Sequence, residues 1–117
     1  MTIPAQVTAE KSTWRLKNVA AEILAESVKF EFTLEVDKPA GKTFSPSVAL
    51  GTESGGAMEM EIVDLDLDGS TRPVGSPVSL DGSKQRFRVM GHARPRTIGL
   101  DLARCAVRIS GTVKKVT

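Results

Sequence analysis

Four groups of residues in this chain have types and spacings that could do chemistry. The sharpest is Asp64-x-Asp66-x-Asp68-Gly69, which matches the first half of an EF-hand loop, where alternate carboxylates converge on Ca²⁺ and a glycine permits the turn. The second half fails: position twelve counted from Asp64 is Gly75 and not Glu, Pro73 interrupts the exit, and no helical pattern flanks the loop. On a strand, three such carboxylates share a face but stand about 7 Å apart, too spread to share one ion unless the backbone curls. A solvated strand face is therefore the stronger expectation, metal binding by Asp64, Asp66 and Asp68 a weak one, and no cofactor is expected.

The second group is the basic series Lys84, Arg86, Arg88, Arg94, Arg96, Arg104 and Arg108, of a kind that can bind phosphate backbones. Readers of single strands also need exposed aromatic rings, yet the chain has no Tyr, and Phe30, Phe32 and Phe87 fall on apolar faces. Nucleic acid is therefore not the expected partner; cross-strand pairing of Lys84, Arg86 and Arg88 with the Glu59-to-Asp68 stripe is. The third group, His92, Arg94 and Arg96, reads as a basic loop stiffened by Pro95. With Arg104 these residues form the candidate site for an anion such as a carboxylate or phosphate. Cys105 is the fourth. It alternates with Val107 and Ile109, which places it on a core face as a small hydrophobe and not as a nucleophile. One His, one Cys and no cluster of metal ligands leave few ways to build a catalytic site, so an enzyme is not expected.

Composition frames these groups. A single domain, residues 1–117, is the natural reading of a chain this long. One cysteine excludes an internal disulfide framework and fits a reducing compartment. The start lacks a basic region followed by an apolar one, and no run approaches a membrane span, so a cytoplasmic location is the default, although a mature secreted domain would look the same. The net charge of +2 hides a split: residues 1–70 carry 6 Lys/Arg against 12 Asp/Glu, a net −6, and residues 71–117 carry 10 against 2, a net +8. Such halves attract, either as a basic binding face or as acidic and basic strands side by side.

The elements that must position these residues are mostly strands. Residues 28–37 alternate strictly, with Val28, Phe30, Phe32, Leu34 and Val36 on one face. In residues 57–69 the alternation flips phase at Ile62-Val63, which calls for a β-bulge that keeps Met58, Met60, Ile62, Val63, Leu65 and Leu67 on one core. Asp68-Gly69 suits a turn needing positive φ. Phe44 to Leu50 reads as a strand broken by Pro46, and Phe87 with Val89 marks the inner face of another. Ile98, Leu100 and Leu102 alternate in one phase and Cys105, Val107 and Ile109 in the other, so a bulge or tight turn is needed near Ala103-Arg104. Residues 18–27 are ambiguous. Val19, Ala20, Ile23, Leu24 and Ser27 recur at helical spacing with Asn18 placed to cap, which predicts a two-turn helix, the competing reading being an irregular edge strand. Residues 1–12 read as a loose arm or edge strand.

About seven or eight short segments of this kind, punctuated by Gly, Pro and Asp-Gly, predict an all-β fold, an antiparallel sandwich or barrel with room for one short helix. The long-spaced Cys, Trp and Cys pattern of immunoglobulin domains is absent. The expected function is a non-catalytic interaction or assembly module, partnered through an edge strand such as residues 5–17 by another protein or by self-association. The alternative is an anion-, glycan- or nucleic-acid-binding domain using the Arg-rich half, for which Trp14 is the only aromatic residue that could serve glycan stacking.

Overall fold

The computed structural model describes residues 1–8, 10–52, 55–97 and 99–116. Ten strands follow one another: β1 (Thr2–Ile3), β2 (Ala5–Val7), β3 (Trp14–Leu24), β4 (Ser27–Val36), β5 (Lys42–Gly51), β6 (Ala57–Leu67), β7 (Ser70–Arg72), β8 (Val78–Ser79), β9 (Arg86–Pro95) and β10 (Ala106–Lys115). They pair in the order β1-β3-β4-β9-β6-β5-β10-β2, with β7 on β6 and β8 on β5. The result is one sheet nearly closed into a barrel. All ladders are antiparallel except β2 on β10, which is parallel. The all-β barrel with antiparallel neighbours is thus as expected, with one parallel ladder that makes the wall mixed.

β4 and β9 form the regular centre, with Val28 opposite Ala93 and Glu35 opposite Arg86. Their inward residues are buried, and Phe32 links the two sides of the barrel by stacking near Phe30 (6.3 Å) and meeting Phe44 of β5 edge-on (6.0 Å). The strands flanking this pair each carry one bulge. In β6 the register shifts between Ile62 and Asp64, as the phase flip predicts. Val63 is the extra residue and turns outward, 45% exposed, so the core receives Met60, Leu65 and Leu67 fully and Met58 and Ile62 in part. In β3 the shift falls between Lys17 and Ala20, with Asn18 at φ 54°.

That second bulge corrects the expected helix at 18–27. An extra residue between Leu16 and Ala21 changes the apolar spacing from two to three and imitates a helical face. Leu24, required by the helical stripe, is exposed. Asn18 supplies the left-handed residue of the bulge, not a cap. Pairing with β4 along the whole of β3 overrides the local preference of Ala-Ala-Glu. Pro46 does not break β5, which runs continuously against β10 and opposes Pro46 to Gly111. Residues 91–95 belong to β9 instead of a loop, and no strand covers Leu100 to Leu102. Leu102–Arg104 is instead a 3-10 turn capped by Asp101, which makes the predicted reversal; Ile98 lies outside the described residues.

Between β6 and β7, Asp68 (φ 51°) and Gly69 (φ 85°) form the expected tight turn. No helix among the described residues is long and apolar enough to cross a membrane.

Candidate functional site

The charged face of β9 lies between two acidic strands, and its cations divide between them. Toward β4, Arg86 Nε donates to Glu35 (3.0 Å) and Arg88 Nη2 to Glu31 (2.8 Å). Toward β6, Lys84 pairs with Asp68 (2.5 Å), Arg94 with Glu61 (3.8 Å), and the His92 ring Nδ1 meets Asp64 at 2.9 Å. The expectation that Lys84, Arg86 and Arg88 all face the stripe from Glu59 to Asp68 thus holds for Lys84 alone. β9 is an interior strand of the sheet, and Arg86 and Arg88 lean to its other neighbour.

Glu35 is the hub of this face. Arg86, Lys17 (3.1 Å) and Arg15 (3.4 Å) surround its carboxylate and hold its pKa down at about 2, Arg86 having the largest effect. Arg15 is raised in turn, first by Asp37 at 2.8 Å and then by Glu35. Burial pushes Asp68 up, but hydrogen bonds from Lys84 and from the Arg88 backbone N–H (2.8 Å) outweigh it and leave the carboxyl below its ordinary range.

The three aspartates of the half-matched calcium loop have separate occupations. Asp64 Oδ1 accepts from the backbone N–H of His92 (3.0 Å) as well as from its ring. This is a side-chain substitute at the bulge, where the ladder is interrupted. Asp68 closes the end of β9. Asp66, opposite Met90, is part-buried, and its Oδ1 has no hydrogen-bond partner among the described residues. No group of three or more His, Cys, Asp or Glu among the described residues could share a metal.

The anion candidates do not converge. His92 is bonded to Asp64, Arg94 lies beside Glu61, and Arg104 pairs with Asp101 (3.4 Å). Arg96 has no ion pair among the described residues and lies at the edge of a cleft. A carboxylate accepts only, so the His92 nitrogen facing Asp64 carries the proton, an arrangement that orients a histidine. No hydroxyl or thiol among the described residues bonds the other ring nitrogen. Cys105 is buried, its thiol directed at the Asp101 carbonyl (3.5 Å), and Trp14, the one aromatic candidate for glycan stacking in the alternative reading, is buried too.

A feature that reading the sequence missed is a split in the wall. β6 pairs with β5 only through Ala57, Met58 and Glu59, then crosses to β9. Below that point residues 45–48 of β5 have no strand on this side until β8 joins at Phe44, and residues 60–64 of β6 have none until β7 joins at Leu65. The opening is a cleft of about 370 Å³ floored by Val48, Met60 and Leu65, with Val74 at one margin and Arg96 at another. Pro46, which blunts a strand edge, is the one residue that could have signalled it. Comparison with known proteins finds no family model, no curated protein and no solved structure that matches this chain.

Proposed function

We propose that this protein is a non-catalytic interaction module that takes an extended segment of a partner protein into the split between β5 and β6. The observation that carries the reading is the facing pair of strand edges, residues 45–48 and 60–64, each without a strand on the side toward the other, around a buried apolar floor. Backbone groups on such edges call for partners, and an added strand supplies them while its alternate side chains fill the floor. Arg96 at the margin suits a carboxylate on that segment.

The reading is tested by panning a library of displayed linear peptides against the protein. Enriched peptides are expected to alternate apolar and polar residues and to shift the amide NMR signals of residues 45–48 and 60–64. Val74→Glu, at an exposed position, is expected to abolish binding without unfolding the protein. Enriched peptides that shift signals elsewhere, or that bind the variant equally well, refute it.

The alternative, an anion-, glycan- or nucleic-acid-binding domain, is favoured by Arg96 alone among its four candidate residues. His92, Arg94 and Arg104 each lie beside a carboxylate, which weakens their hold on a further anion. Heparin retention that persists near about 0.15 M salt, where screening is short-ranged, and that falls in Arg96→Ala, would favour this alternative.

A further inference from the structure

The barrel has a second discontinuity, between β3 and β10, and the chain closes it with its own N-terminal arm. β1 adds to β3 at Ala21 and Glu22, and β2 then adds in parallel to β10 at residues 107–109. Residues 2–7 thus strap together two strands that share no ladder. The strap is specific. Ile23 N–H donates to the Met1 carbonyl (2.8 Å), Val107 N–H to Pro4 (2.8 Å) and Thr8 N–H to Ile109 (3.0 Å), while Ile3 enters the core. It is also short, with two register pairs on one edge and three on the other, so few ladder bonds oppose its local opening. Just beyond it, Lys11 and Trp14 exchange backbone hydrogen bonds (3.1 and 3.2 Å) and fix the entry to β3 independently of the arm.

We propose that the seam accepts the arm of a second copy of this chain, so that residues 1–8 exchange between molecules. An arm arriving from a neighbour has the same sequence and makes the same ladder bonds and the same burial of Ile3, so the contacts on the two sides of the exchange cancel. The Lys11–Trp14 turn can stay as it is, so β3 and the strands beyond it keep their places during the exchange. What favours the closed monomer is the short tether, which holds the arm at an effective concentration on the order of 1 mM. Packing the molecule at such densities brings a neighbour's arm into equal competition. Mutual exchange gives a closed two-fold pair, and one-way exchange gives an open chain of copies. This surface is separate from the β5–β6 split, and neither proposal depends on the other.

The test uses the register of β2 on β10, where Gln6 lies opposite Arg108. In a Cys105→Ala background, Gln6→Cys and Arg108→Cys are combined, and the protein is equilibrated and oxidised at about 1 µM and about 1 mM, well below and near the tether's effective concentration. On a non-reducing gel, the bridge is expected to run as a monomer at the low concentration and to shift to a covalent dimer at the high one. The two single variants, mixed at the high concentration, are expected to give the Gln6-to-Arg108 heterodimer in excess over either homodimer. A monomer at both concentrations overturns the proposal, as does failure of any bridge to form. So do homodimers as abundant as heterodimers, which would mark random collision.

Discussion

Along β4 and β9 each residue from 28 to 35 has a partner across the ladder, and the outer face is laced with ion pairs, whereas β5 has no neighbour on its β6 side over residues 45–48 and the far edge of β10 is strapped only at 107–109. Both regions are built from the same alternating strands. They differ in what the residues between the inward positions do. On the β4–β9 side those residues include Glu31, Glu35, Arg86 and Arg88, which find each other, so these strands are held in register from both faces. On the β5–β10 side they are Ser, Thr and Ala with Arg108 and Lys114, and neither strand carries a carboxylate to meet those cations, while Gly111 sits where a Cβ would stand 2.5 Å from the Phe44 ring. The first region holds the barrel together, and the second leaves backbone available.

The largest effect is expected in the core. Phe32→Ala should cost about 3–5 kcal/mol in urea denaturation, while Val74→Ala at the split should stay within about 0.5 kcal/mol. Similar costs at both positions would mean that the two regions do not differ in this way. Next comes Glu35→Gln. The folded-state pKa of Glu35 is lowered from 4.5 to about 2, so its contribution is complete above pH 4.5 and fades as pH falls toward 2. The variant should therefore be less stable than the parent at pH 7 and equal to it near pH 2, and a gap that does not close with acid would remove Glu35 as the hub.

A smaller effect of opposite sign is expected at the turn from β3 to β4, where Ala25 takes φ 52°. Ala25→Gly should stabilise by up to about 1 kcal/mol, since only glycine adopts that conformation without steric cost. No gain in midpoint would mean that the hairpin relaxes away from it. The smallest effect is that between Glu31 and Arg88, both substantially exposed. A double-mutant cycle should find about 0.2–1 kcal/mol of coupling there and none between Arg88 and Asp66, which distinguishes the actual neighbour of each arginine from the stripe on β6.

How much was legible in the sequence follows from the same physics. Strict alternation in residues 28–36 and the phase flip at Ile62-Val63 identify β4 and the β6 bulge, because a half-buried strand writes its burial at period two. Asp68-Gly69 identifies its turn by backbone preference. The bulge at Asn18 was not legible, since one inserted residue gives the spacing of a helix over so short a stretch. Neither was the direction in which Arg86 and Arg88 lean, because alternation says which face a side chain takes but not which of two neighbours it meets. The Asp64–His92 pair depends on the β6–β9 register, set by the bulge. The split is a fact of topology: β6 leaves β5 after three pairs, and only Pro46 marks the place.

The parallel pairing of β2 with β10 also has a mechanical meaning. The chain enters β2 at Ala5 and leaves β10 at Lys115, and because the two strands run the same way, tension applied from outside those points pulls them past each other along their length. Every backbone bond of that pair then bears load at once, where an antiparallel hairpin pulled from its open end would unzip one bond at a time. The three register pairs of that ladder act as a short shear clasp across the seam. If the chain is drawn taut between neighbours, β1 on β3 meets the load first and this clasp next, and their yielding releases the strap before the β4–β9 ladder is strained.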